Sequence, residues 1–105
     1  MMDVTISAPH GSVPQSLHDH AARLAERLER YGLRAPTMAV VFSKVNGSCA
    51  AEARFSMAAS PPMVARGSGP TYRNALNQAV DRIERQMRRN RDRRRTRRRV
   101  VASRD

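Results

Sequence analysis

Two residues near the middle of the chain restrict its fold most. Asn46-Gly47 lies between Met38–Val45, a β-branched and almost continuously apolar segment, and Ser48–Ala58, in which Ala51, Ala53, Phe55 and Met57 alternate with Glu52, Arg54 and Ser56. Asparagine and glycine both adopt positive φ at little cost, so this pair predicts a tight turn joining two antiparallel strands. The first strand suits the interior of a sheet; the second, with one polar side, suits a sheet solvated on one face.

The flanking segments extend this hairpin. Asp3–Ser7 alternates Val4 and Ile6 with Thr5 and Ser7, the pattern of a half-buried strand. Pro9–Pro14 reads as a turn. Leu17, Ala21, Leu24, Leu28 and Tyr31 then recur at helical spacing, with Pro14 tolerated in the first turn and Gly32 and Pro36 as stop signals. After the Ser60-Pro61-Pro62 turn, Met63–Gly67 predicts a short fourth strand, with Gly67 and Gly69 weakening its end. Thr71 is placed to cap a last helix whose apolar stripe is Leu76, Ala79, Val80, Ile83 and Met87. The order is β-α-β-β-β-α. A helical crossover between the first two strands makes them parallel and the hairpins make the rest antiparallel. The expectation is an α+β fold, a four-stranded mixed sheet with two helices packed on one face.

Charge divides the chain differently. Residues 1–72 carry seven basic and five acidic side chains, whereas residues 73–105 carry thirteen and four. Nine of the twelve residues in Arg88–Arg99 are arginine, and a run of this kind repels itself and has no apolar face to bury. This predicts an organised domain over residues 2–92 and a basic arm over 93–105 that is frayed or disordered. The net charge of +11 points to a polyanionic partner. One cysteine, Cys49, excludes an intramolecular disulfide and fits a reducing, cytoplasmic setting. No apolar run approaches the ~18 residues of a membrane span, and Met1–Ser7 has no secretory h-region.

Asp81-Arg82-Ile83-Glu84-Arg85-Gln86-Met87-Arg88-Arg89 resembles the second-helix pattern of the short bacterial ribosome hibernation promoting factors, also called ribosome-associated inhibitors and formerly sigma-54 modulation proteins. Met2-Asp3-Val4-Thr5-Ile6-Ser7, Leu28-Glu29, Val40-Val41-Phe42 and Ala51-Glu52-Ala53 are similar too, and the likeness runs from Met2 to about Arg95. Relatives usually place an aromatic at position 20 and a tyrosine at 73, where this chain has His20 and Arg73. Its loop after the second strand is uncharged, and the dimerisation domain of the long family form is expected to be absent. The resemblance implies binding to the small ribosomal subunit and its rRNA near the decoding centre. It would occupy the mRNA and tRNA channel and hold ribosomes inactive.

The candidate RNA contacts are arginines, whose planar fork grips phosphate oxygens and stacks on bases. Arg23, Arg27 and Arg30, continued by Arg34, form one stripe of the first helix, about 100° round from its core stripe. Arg82, Arg85 and Arg89 form a comparable stripe of the second, with Arg88 and Arg91 on the opposite flank and Arg93 beginning the arm. The competing reading is a solvated face laced with ion pairs, Glu26 to Arg30, Asp81 to Arg85 and Glu84 to Arg88, each worth only a few tenths of a kcal/mol. If the helices run parallel, the two stripes need not share a groove. Neutralising six phosphates with the arm would give a salt slope of roughly −4 to −5.

Phe42 and Phe55 are expected in the core rather than as a stacking platform, which favours recognition by RNA shape and phosphate over base reading. His18 and His20 lack the i, i+4 spacing of a zinc pair, and His10 has no second ligand nearby. His20 is expected as a half-buried replacement for the aromatic, and Cys49 as a structural thiol. Neighbouring Ser16, His18 and Asp19 do not amount to a triad, and no phosphate loop occurs. No enzyme activity, cofactor, metal, small-molecule substrate or membrane partner is expected, and the protein is expected to be monomeric off the ribosome. The rival readings are a general basic RNA- or DNA-binding protein on the same fold, and a membrane-surface helix. The latter is weakened by the absence of a lipid-facing side past Met87.

Overall fold

A computed structural model describes residues 3–8, 13–31, 35–58 and 60–102, with side chains as far as Asn90. The elements are β1 (Asp3–Ser7), α1 (Gln15–Glu29), β2 (Thr37–Val45), β3 (Ser48–Ser56), β4 (Met63–Gly69) and α2 (Tyr72–Ala102). They form one sheet in the order β1-β2-β3-β4. β1 runs parallel to β2, with Asp3 opposite Thr37 and Ser7 opposite Val41. The β2–β3 and β3–β4 pairs are antiparallel. This is the mixed sheet expected from the sequence. The turn works as the dipeptide predicts, with φ of 53° at Asn46 and 81° at Gly47.

One face of the sheet is covered by both helices. Met38, Val40 and Phe42 of β2, Ala51, Ala53 and Phe55 of β3, and Met63 and Ala65 of β4 share a cluster with Leu17, Ala21, Leu24 and Leu28 of α1 and Leu76, Ala79, Val80, Ile83 and Met87 of α2. β2 is an inner strand, yet its near-continuous apolar sequence is buried on alternate residues only. Val41 is 46% exposed and Val45 56% exposed, on the face opposite the helices. In an antiparallel pair one face suffices to secure the strand.

Three local expectations need correction. β4 continues two residues past Gly67, to Gly69. Gly67 is buried because α2 passes directly over it: a Cβ there would overlap the Ala75 carbonyl oxygen and come within 2.8 Å of the Ala79 amide nitrogen. The glycine permits a close helix crossing rather than ending the strand. α1 stops at Glu29, with the Tyr31 N–H bonded to the Leu28 carbonyl at 3.1 Å, so Tyr31 lies beyond the helix and packs half-buried on the core. Pro14 stands at the N-cap position, its carbonyl accepting from the N–H groups of Leu17 and His18, rather than inside the first turn. Gly32 and most of the Pro9–Pro14 turn lie outside the described residues. The α2 cap is as expected: the Thr71 hydroxyl accepts from the Asn74 N–H at 3.1 Å.

Gly67→Ala should destabilise the fold by about 2–3 kcal/mol, because the methyl meets helix backbone that cannot rotate away. Gly69→Ala, whose methyl would meet the Asn74 side chain at 3.0 Å, should cost distinctly less. Urea unfolding of the two variants checks both.

Candidate nucleic-acid interface

The stripe that anchors α2 also fixes where its other residues point. β4 runs parallel to β1, and each helix runs antiparallel to the strand before it, so α1 and α2 point the same way. Their seam is laced at a nearly constant offset. His20 Nε2 meets Asn77 Oδ1 at 2.6 Å, Arg27 Nε donates to Glu84 Oε2 at 3.2 Å, and Arg88 Nε donates to the Tyr31 hydroxyl at 3.1 Å, each pair 57 residues apart. Arg27 Nη2 also reaches Asp81 Oδ1 at 2.8 Å, and Arg88 Nη2 reaches Glu84 Oε1 at 2.9 Å. Both Glu84 oxygens are thus engaged, one from each helix, and the residue is only 8% exposed. The hydrogen bond to Tyr31, and after it the Glu84 charge, push the Arg88 pKa up from an already strongly basic value.

On the opposite flank, α2 lies against the outer edge of β4. Gln78 Oε1 accepts from the Ser68 N–H at 2.9 Å, Arg82 donates to the Arg66 carbonyl, and Gln86 donates to the Val64 carbonyl at 3.4 Å. Between the flanks, Arg85 and Arg89 stand exposed on the crest of the helix. With Arg82, Gln86 and the β4 residues Val64 and Ala65 they line an open depression.

The expected RNA-contacting arginines therefore fall into groups. Arg23, Arg85 and Arg89 are exposed and have no hydrogen bond or ion pair among the described residues. Arg30 is exposed and donates Nε to the Arg27 carbonyl at 3.1 Å. Arg27 is half-buried between two carboxylates, Arg88 is bonded to Glu84 and Tyr31, and Arg82 leans on β4. Arg91 and Arg93 lie on the helical backbone of α2, with their side chains outside the described part, as is Arg34. Of the expected arm over 93–105, residues 93–102 continue the α2 backbone with their side chains outside the described part, and residues 103–105 lie outside it altogether.

The two stripes do not share a groove. Arg27 faces α2, while Arg82, Arg85 and Arg89 face the crest and the β4 side. Of the expected local pairs, Glu84–Arg88 forms, Asp81 turns to Arg27 instead of Arg85, and Glu26 does not pair with Arg30. Asp81 and Glu84 as cross-helix partners were missed. The available signal was an acidic pair three residues apart beside the core stripe, facing a basic stripe on a parallel helix.

His20 is half-buried and bridges Asn77 and Arg73, whose Nη2 lies 3.4 Å from its Nδ1. The two positions that depart from the family pattern thus meet. Phe42 and Phe55 are both 1% exposed, and Phe42 stacks obliquely on Tyr72 at 5.1 Å. Cys49 is buried, with Sγ 3.7 Å from the Pro70 carbonyl. Among the described residues no helix is long and apolar enough to cross a membrane, and no group of three or more His, Cys, Asp or Glu side chains is placed to hold a metal.

Residues 4–95 match the model of the family described as sigma 54 modulation protein / S30EA ribosomal protein. No curated protein matches the chain in sequence. Among solved structures, the Protein Y N-terminal domain of Thermus thermophilus superposes with a TM-score of 0.73 at 22% identity, over 85% of this chain and 98% of that one. A ribosomal subunit interface protein from Coxiella burnetii gives a TM-score of 0.74 at 11% identity, over 88% and 99%. At these identities the likeness is one of fold.

Glu84→Ala should lower stability by about 1–3 kcal/mol, below the cost of breaking a fully buried pair because Arg27 and Arg88 are partly exposed. Asp81→Ala, at an exposed position, should cost under about 0.5 kcal/mol. Chemical denaturation of both variants tests the ranking.

Proposed function

The chain belongs to the sigma 54 modulation protein / S30EA ribosomal protein family, and from that premise we propose that it is a cytoplasmic ribosome-associated inhibitor. It binds small-subunit rRNA near the decoding centre, occludes the mRNA and tRNA channel and holds ribosomes inactive. No bond is made or broken. The observation that carries the RNA-binding part is the set of exposed arginines without partners among the described residues, Arg23, Arg85 and Arg89, on two parallel helices of one sheet face.

Guanidinium groups held on helices suit phosphates at fixed spacing, with Arg30 extending the α1 set and Arg82 the α2 set. Both phenylalanines lie in the core, which leaves shape and phosphate as the means of recognition. The arm from residue 93 onward adds affinity through charge, with little selectivity of its own.

A second reading is favoured by the arginine run itself: a general RNA- or DNA-binding protein on the same fold. The two differ in whether the body or the total charge governs binding.

Co-sedimentation with purified bacterial ribosomes across a salt series separates them. The intact chain should bind the small subunit near stoichiometrically at physiological salt, and occupied tRNA sites should block it. Arg23→Ala/Arg85→Ala/Arg89→Ala should weaken binding by at least about tenfold, three phosphate contacts being lost. Truncation after Arg91 should weaken binding without abolishing the site. Binding that tracks total charge alone, and is equal on naked duplex RNA, would sink the ribosome reading.

A further inference from the structure

Glu84 is the one buried charged residue among the described residues, and it does not behave as a surface i, i+4 partner. Its two oxygens hold guanidinium groups from two helices, Arg27 at 3.2 Å and Arg88 at 2.9 Å. Arg27 passes on to Asp81 at 2.8 Å, and Arg88 to the Tyr31 hydroxyl at 3.1 Å. Each guanidinium keeps donors to spare, but its Nε and Nη2 edge is fixed to these partners, and a phosphate brought to it would face Glu84, and at Arg27 also Asp81, as like charges. Arg23, Arg85 and Arg89 are held by no carboxylate among the described residues.

We propose that Glu84 is a positioning residue of the RNA-binding face. It withdraws Arg27 and Arg88 from the phosphate-binding set and uses them to fix α1 against α2. Arg23 on one helix and Arg85 and Arg89 on the other then stand at a set separation. The inference rests on the RNA-binding reading above and divides its arginines into two classes that salt dependence can count. Only cations that meet phosphate release counterions, so each contributes to the slope of log affinity against log salt.

The full chain is titrated with a fluorescent 20-nucleotide oligouridine and, separately, with purified small ribosomal subunits, over a salt series. Glu84→Gln, nearly isosteric, frees Arg88 while Asp81 still holds Arg27. The oligouridine slope should steepen by about 0.7, the value for one added contact to a single strand. Asp81→Asn/Glu84→Gln should steepen it by about 1.4. Affinity for the subunit should fall in both while affinity for the oligomer at low salt rises, because more cations are presented on a less fixed frame.

An unchanged slope, or a parallel loss of both affinities, would overturn the proposal. Should circular dichroism show Glu84→Gln unfolded, Arg27→Gln/Arg88→Gln decides instead. A slope change under about 0.5 supports the withdrawal of these residues, and a loss of about 1.4 refutes it. If the intact chain fails to bind subunits but the Glu84→Gln slope still steepens, the ribosome reading falls and the withdrawal of the two arginines stands.

Discussion

Everything on the exposed side of this molecule depends on α2 lying flat across β3 and β4. A helix rich in one charge opposes its own formation, since like charges three and four residues apart repel. Tertiary burial must hold it. Leu76, Val80, Ile83 and Met87 are between 0% and 4% exposed, and burying each stabilises the docked state by roughly 1.5–3 kcal/mol. Gly67 and the small Ala75 and Ala79 let the backbones approach closely enough for that burial. Once this stripe is seated, rotation of the helix about its axis is fixed, and with it the surroundings of every polar residue it carries.

The two flanks of α2 then perform different physical tasks. On one side Gln78, Arg82 and Gln86, spaced four apart, rise by about 6 Å per step, close to the two-residue repeat of about 6.7 Å along β4. They meet Ser68, Arg66 and Val64 in turn and satisfy edge groups that would otherwise invite another strand. On the other side Asn77, Asp81, Glu84 and Arg88 meet His20, Arg27 and Tyr31 of the α1 region. Partly exposed ion pairs of this kind add little net stability. Their constant offset instead specifies one register between the helices, which apolar contacts alone define loosely.

Local signals in the sequence translate directly into structure. Asn46-Gly47 supplies two consecutive positive φ values, Thr71 caps α2, and both apolar stripes reach the core. What sequence reading loses is whatever depends on a distant neighbour. A glycine in a strand reads locally as a weakness, and only the passage of α2 over Gly67 makes it a requirement. The i, i+4 rule sees Glu26 as the partner of Arg30 and cannot see that Asp81 and Glu84 lie opposite Arg27, 54 and 57 residues along. The arginine stripe was legible as a stripe. Its division into paired and unpaired members required the helix seam.

That division bears on how a chain so basic can be selective at all. Phosphate contacts position a protein on nucleic acid without carrying sequence information. The sheet offers no aromatic platform to read bases, since Phe42 and Phe55 are buried. Within the proposed function, discrimination between one folded RNA and another must come from matching the spacing of cations to the spacing of phosphates. Seven arginines crowded into Arg91–Arg99 supply charge at high density, which satisfies many phosphate arrangements about equally well. Arg23, Arg85 and Arg89, set on two helices locked in one register, satisfy few. Within that proposal, tying Arg27 and Arg88 into ion pairs at the seam sharpens recognition even as it lowers the attraction available, because selectivity is a difference between affinities rather than their sum.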